Sequence, residues 1–142
     1  MGIVLGFELD AELIGTIRIV PIGYGLTLTE QLLPAAGSGA PAAGSGDWEV
    51  GRLVLAPDHR SDVDALRRCL HAAVVYGLEH AHVKHLYATC THVLSRLYRR
   101  FGFTAFARDV PLPGTGKVYT MISGAAQPVA RALAGESALQ AH

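Results

Sequence analysis

Residues 48–55 read WEVGRLVL, an apolar run of strand length into which an acid, Glu49, and a base, Arg52, are set. The large apolar residues suit a strand buried in a sheet, and Pro57 closes it. The period then changes. Between residues 61 and 81, Val63, Leu66, Leu70, Ala73, Val74 and Gly77 fall on one helical face, with Ser61 or Asp62 available as the cap. VKHLYATC (83–90) returns to strand composition. A strand–helix–strand unit makes a parallel crossover, which places WEVGRLVL beside VKHLYATC in a mixed sheet with helices packed on it. Burying a charge is costly unless it is paired or used. Glu49 and Arg52 are therefore either a structural pair or the chemistry.

Working toward the N-terminus, IVLGFEL and LIGTIRIV are rich in β-branched residues, and Asp10-Ala11-Glu12 supplies a turn between them, so residues 3–21 read as an antiparallel hairpin. GYGLTLTEQLL is short and mixed, with room for one helical turn. PAAGSGAPAAGSGD (34–47) contains AAGSG twice and almost nothing that can pack, and reads as a flexible low-complexity loop. Toward the C-terminus, THVLSRLYRR (91–100) reads as a helix capped by Thr91, with Val93, Leu94 and Leu97 inward and Gly102 as its stop. Strands near 104–110 and 117–122 are joined by PLPGTG, and the Ala-rich stretch from Ala125, which includes Pro128, reads as a loosely ordered tail. The expectation is an α/β fold on a mixed sheet, one domain over 1–124 with a flexible loop at 34–47, followed by a tail over 125–142.

The chain has 142 residues, of which 50% are hydrophobic and 17% charged, enough for one domain with a core of its own. Twelve basic residues balance twelve acidic ones, so no overall field draws the protein to nucleic acid or to anionic membranes. Cys69 and Cys90 lack the CxxC spacing of a zinc site and read as buried thiols in a reducing compartment. No apolar run approaches the roughly 18 to 20 residues of a membrane span, and MGIVLGFELD has neither the basic region nor the cleavage signal of a secretory leader. A cytoplasmic location is expected. His80, His82 and His85 lie at a helix-to-strand turn with no spacing that fixes three ligands, so no metal is expected.

The order of elements, with three local motifs, resembles the GNAT acyltransferase fold. VLAPDHR (54–60) looks like that family's strand, short loop and arginine before the acyl-donor helix, and LYRRFGF (97–103) is similar to its leucine–tyrosine helix end with glycine and phenylalanine following. GTIRIVP (15–21) and WEVGRLVL point to one branch: they resemble signatures of the autoinducer (acyl-homoserine-lactone) synthases and of the related N-acyl amino acid synthases, in which one strand carries an arginine ahead of a proline and the next carries E-x-x-R. These positions are Arg18, Glu49 and Arg52. The family begins with a further strand and helices, whereas this chain starts almost at the hairpin, so a GNAT-like fold shortened at its N-terminus is expected.

The resemblance implies an N-acyltransferase that moves a fatty acyl group from a thioester to a small amine, with no bound cofactor. It implies donor contacts at Leu53, Val54, Leu55, Arg60 and Ser61, and Tyr98 as donor of a proton to the departing thiolate. Ordinary GNAT enzymes bind the pyrophosphate of coenzyme A on a glycine-rich loop of bare amides. The corresponding stretch here, RSDVDA (60–65), has no glycine and two aspartates, Asp62 and Asp64. That favours acyl-phosphopantetheine on an acyl carrier protein over acyl-coenzyme A, with Arg67, Arg68, Arg99 and Arg100 as a docking patch; ordinary solvated helix faces are the other reading of those arginines.

Glu49 is then the natural base for the acceptor amine. On an ideal strand Glu49 and Arg52 point to opposite faces, and a bulge at Gly51 would bring both to one site. Arg18 either orients the carboxylate of an acceptor by a two-pronged contact or rests with its head in water. Tyr98 equally suits a core position with its hydroxyl at the surface. An amino acid is favoured over S-adenosylmethionine as acceptor, because nothing in the chain offers an aromatic cage for a sulfonium, and acyl-homoserine-lactone synthesis is disfavoured accordingly. The competing readings are a short-chain acyltransferase using coenzyme A and a catalytically silent binding module.

Overall fold

The first hairpin is set by its turn. In the computed structural model, which describes residues 2–25, 27–39 and 44–135, strand β1 (Ile3–Leu9) pairs antiparallel with β2 (Glu12–Pro21) from Ile3 opposite Ile19 to Leu9 opposite Glu12. Asp10 and Ala11 both take positive φ, 51° and 64°, the left-handed pattern whose twist matches that of the flanking strands. Strand β3 (Asp47–Leu55) lies antiparallel to β2, and helix α2 (Val63–His80) then returns the chain to β4 (His85–Cys90), which runs parallel to β3. Helix α3 (His92–Arg99) leads to the hairpin of β5 (Thr104–Leu112) and β6 (Lys117–Ala125), giving a six-stranded mixed sheet in the order β1-β2-β3-β4-β6-β5. This is the mixed α/β arrangement expected of a GNAT-like chain.

One break in the sheet positions everything that follows. The parallel ladder between β3 and β4 covers only Asp47–Glu49 against His85–Tyr87. Beyond it β3 stays with β2 as far as Leu55, and β4 stays with β6 as far as Cys90. The two strands part just after Glu49.

Helix α2 covers one face of the sheet. Asp62 caps it, its carboxylate accepting from the Ala65 amide at 3.1 Å. Ala65, Leu66, Cys69, Leu70, Ala73, Val74 and Gly77 form its buried stripe, of which Leu66, Cys69, Leu70, Ala73 and Val74 pack in one core with Ile17, Ile19, Val50 and Leu86. Val63, expected on that stripe, is exposed because it is the first residue of the helix and precedes the turn that docks. On α3, Leu94 and Leu97 pack against the core as expected, half-buried, but the centre of the inward face lies elsewhere. Val93 is 78% exposed, while Ser95 and Tyr98 are buried. The serine is admitted because its hydroxyl donates to the His92 carbonyl at 2.6 Å, leaving no unpaired polar group.

The low-complexity stretch packs at Ala36, while Pro34, Ala35 and Gly37 are exposed. Residues 33–39 form a 3-10 segment, and Leu33 and Ala36 join a second core on the opposite face with Leu32, Val110 and Met121. Residues 40–43 lie outside the described residues. Asp47, at the end of that stretch, is a buried strand residue whose carboxylate accepts from the Gly44 amide at 2.6 Å and lies 3.4 Å from His85 Nδ1.

The tail expected from Ala125 is, over its described part, helix α4 (Ala126–Ala134), with Ala126, Val129 and Leu133 wholly buried. Glycines let it approach: a Cβ on Gly124 would stand 2.9 Å from Val129 Cγ2. Arg67 of α2 donates to the Leu133 carbonyl, satisfying one of the helix's last acceptors. Residues 136–142 lie outside the described residues. Among the described residues no helix is long and apolar enough to cross a membrane.

Candidate active site

Strand alternation alone would separate Glu49 from Arg52. The register between β2 and β3 shows how they meet: Arg18 pairs with Gly51 and Thr16 with Val54, so Ile17 faces two residues, Arg52 and Leu53. This is a β-bulge, and Arg52 is its left-handed residue at φ 53°. The sequence suggested a bulge at Gly51; the unusual backbone falls one residue later, on the arginine itself. A non-glycine residue there costs about 1–2 kcal/mol. Gly51 lies beside the site, with Glu49 Oε1 3.5 Å from where a Cβ would stand, an ordinary contact distance.

The bulge brings Glu49, Arg52 and Arg18 into the lining of one cleft of about 630 Å³ at the point where β3 and β4 separate, with Gln31 and Thr89 across from them. Among the described residues none of Arg18, Glu49 and Arg52 makes an ion pair within 4.0 Å. Two guanidinium groups and two carboxylates, Glu49 and Glu30, line the cleft, so its formal charges balance and the arginines act as local partners for an anionic group.

Helix α1 (Leu28–Leu32) forms the other wall, and the sequence reading gave it no part in the site. It starts in a capping box: the Thr27 hydroxyl accepts from the Glu30 amide at 3.0 Å, and Glu30 reaches back to the Gly25 amide at 2.9 Å. Desolvation works against the Glu30 carboxylate, but the amides of Gly23, Gly25 and Tyr24 and the Thr27 hydroxyl outweigh it and hold its pKa below the usual carboxylate value. The preceding amide, that of Thr29, donates to Glu49 Oε2 at 2.7 Å, and the Thr29 and Thr89 hydroxyls lie 2.9 Å apart in a shared hydrogen bond. The Thr27-x-x-Glu30 spacing of that box was a legible signal for the helix start.

On the far side of the bulge, Leu53, Val54, Leu55 and Arg60 line a smaller groove of about 280 Å³ with Leu66 and Leu94. Four of the five expected donor contacts therefore share one place. Ser61 is exposed and does not line this groove. Arg60 Nε donates to the Leu55 carbonyl at 3.4 Å, a long bond that ties the loop to the end of β3.

Tyr98 lies in the core. It is 3% exposed, its ring lies 5.5 Å from that of Phe103, and it lines neither cavity. Burial raises its pKa well above the ordinary tyrosine value, with Cys90 adding to the effect, and burial alone pushes the Cys90 thiol up to about 12. The four arginines expected to form one docking patch also divide. Arg67 and Arg68 both pair with Asp64, at 2.7 and 3.4 Å, and Arg67 is further committed to α4. The Arg67 hydrogen bond is the main cause holding the Asp64 carboxyl below its ordinary range, with both guanidinium charges adding to it against some desolvation. Arg99 and Arg100 are exposed at the end of α3. Among the described residues no group of three His, Cys, Asp or Glu side chains is placed to hold a metal ion.

With this geometry in place, comparison with known proteins is decisive. The family model described as "N-acyl amino acid synthase FeeM" matches residues 2–123. The chain belongs to that family. A search of curated proteins gave no match. Among solved structures, the chain is similar to the AHL synthase LasI, with a TM-score of 0.71 at 18% identity, covering 93% of this chain and 68% of that one. It is similar to the CoA-dependent acyl-homoserine lactone synthase MesI, with a TM-score of 0.69 at 16% identity, covering 96% of this chain and 69% of the other. It also matches an acetyltransferase of the GNAT family from Streptococcus pneumoniae, with a TM-score of 0.60 at 11% identity over 87% of this chain and 66% of that one. The fold is that of the GNAT and AHL synthase enzymes, and the family makes this chain an acyltransferase.

Proposed function

We propose that this family member transfers a fatty acyl group from the thioester of an acyl carrier protein to the amino group of an amino acid. The observation that carries the reading is the convergence of Arg18, Glu49 and Arg52 on one cleft where β3 and β4 part. A guanidinium matches a carboxylate in planar, two-pronged geometry, so the paired arginines suit an acceptor that carries one. Glu49 Oε1, the oxygen not held by Thr29, takes a proton from the acceptor's ammonium group. The freed amine attacks the thioester carbon, forming a C–N bond and a tetrahedral oxyanion. The edge of β3 beyond Glu49 has no partner strand on the β4 side, so backbone N–H groups there are available to that oxyanion. Collapse breaks the C–S bond and releases the thiol, its proton supplied by the amine as it becomes an amide. A thiol with a pKa of about 8.5 leaves without an obligatory acid, and no step needs the buried Tyr98.

The carrier-protein donor is supported by α2. Asp62 occupies the amide of Ala65, the third residue of the helix, and Asp64, paired with Arg67 and Arg68, stands in the same first turn, where a diphosphate would seek bare amides. Arg99 and Arg100 remain exposed for an acidic carrier. With one acyl chain presented on both donors, the carrier form should turn over at least about tenfold better, and the advantage should shrink as salt screens surface charge over about 8 to 10 Å. Charge reversal of Arg99 and Arg100 should remove most of it. Equal or better turnover with acyl-coenzyme A, unaffected by salt or by those substitutions, would favour the coenzyme A donor used by a neighbour such as MesI.

A further inference from the structure

Helix α1 is only five residues long, yet both ends are fixed. The Thr27–Glu30 box holds its start, and Leu32, 2% exposed, locks its end into the core with Val110 and Met121. Between them stands Thr29, wholly buried, with its amide and its hydroxyl directed at the diverging strands. Its amide reaches Glu49 on β3 and its hydroxyl reaches Thr89 on β4. Backbone pairing between β3 and β4 stops at Glu49 and Tyr87. The side-chain path Glu49–Thr29–Thr89 therefore bridges the two strands where their ladder has ended.

The geometry points to Thr29 as the positioning residue of the base, with Thr89 as its anchor on β4. The inference rests on the reading of Glu49 as base. A glutamate has three rotatable side-chain bonds, and among the described residues the Thr29 amide is the one hydrogen-bond partner that Glu49 has. The Thr29 amide claims Oε2 and leaves Oε1 toward the bulge. That amide is aimed by the position of α1, and the Thr29–Thr89 hydroxyl pair is what ties α1 directly to β4 across the cleft. Loosening the tie lets the carboxylate wander, and a displacement of about 1 Å at a reacting group can cost up to about 100-fold in rate. Packing alone would be met by a valine of the same shape.

The test compares Thr29→Val, Thr29→Ser, Thr89→Val, Glu49→Gln and the Thr29→Val/Glu49→Gln pair, with the acceptor amino acid varied. Thr29→Val should lower kcat by about tenfold while the acceptor KM moves less than about threefold, and Thr29→Ser should stay within about threefold of the native enzyme. Thr89→Val should reproduce the kcat loss, and it decides the matter if Thr29→Val does not fold. In the Glu49→Gln background, Thr29→Val should add little, because both changes act on one group. An unchanged kcat in Thr29→Val and Thr89→Val, with Glu49→Gln inactive, overturns the positioning role alone. So does a loss that serine fails to rescue. Normal turnover in Glu49→Gln removes the base itself, and the positioning role with it.

Discussion

Glu49→Gln lowers kcat for acyl transfer by roughly 100- to 10,000-fold, the usual cost of losing a general base, while the melting temperature stays within a few degrees of the native value. The structure explains why the two effects separate. A glutamine oxygen can still accept from the Thr29 amide, so α1 keeps its place. The amide nitrogen that replaces the other oxygen cannot take a proton. Steady-state kinetics with a saturating thioester, beside a thermal melt of each protein, check both halves. Near-native turnover would remove Glu49 from the chemistry.

Ending the chain at Ala125 should unfold it or nearly so. Val129 and Leu133 are completely buried against α2 and the sheet, and burying each such side chain is worth about 1.5–3 kcal/mol. Losing both, and exposing the surface beneath, removes about 3–6 kcal/mol from a domain whose total stability is of order 5–15 kcal/mol. Leu133→Ala isolates one part and should cost about 2–5 kcal/mol. Urea unfolding followed by far-UV circular dichroism measures all of these. A truncated chain with a native midpoint would mean that α4 adds nothing to the core.

That helix shows where sequence reading reached its limit. Its alanines and Pro128 suggested a loose tail, but Pro128 is the third residue of α4, inside the first turn, where the missing N–H costs no intrahelical bond. What holds α4 includes contacts distant in sequence: Val129 and Leu133 enter the core, and Arg67 meets the last turn. Local pattern carries no trace of such contacts. The strand–helix–strand unit was legible because its signals are local: apolar run, cap, helical stripe, second apolar run. Glu49 and Arg52 were legible because two charges in a core strand need a reason and the glycine between them invites a bulge. Thr29 and Thr89 were not. Sixty residues separate them, and each reads as an ordinary polar residue until the fold sets their hydroxyls 2.9 Å apart. Tyr98 was left between a proton donor and a core residue because a motif fixes a residue's position along a helix, whereas the rotation of α3, which turns Ser95 and Tyr98 inward, is set by packing.

The central claim is amide formation between a fatty acyl thioester and an amino acid in the cleft at Glu49. The most direct measurement incubates the purified protein with an acylated carrier protein and a mixture of isotope-labelled amino acids, following released thiol and acylated amino acids by mass spectrometry. The account predicts one N-acyl amino acid formed per thiol released, with both lost in Glu49→Gln. Thiol release without any acylated amine, or an N-acyl product formed equally well by Glu49→Gln, would contradict it.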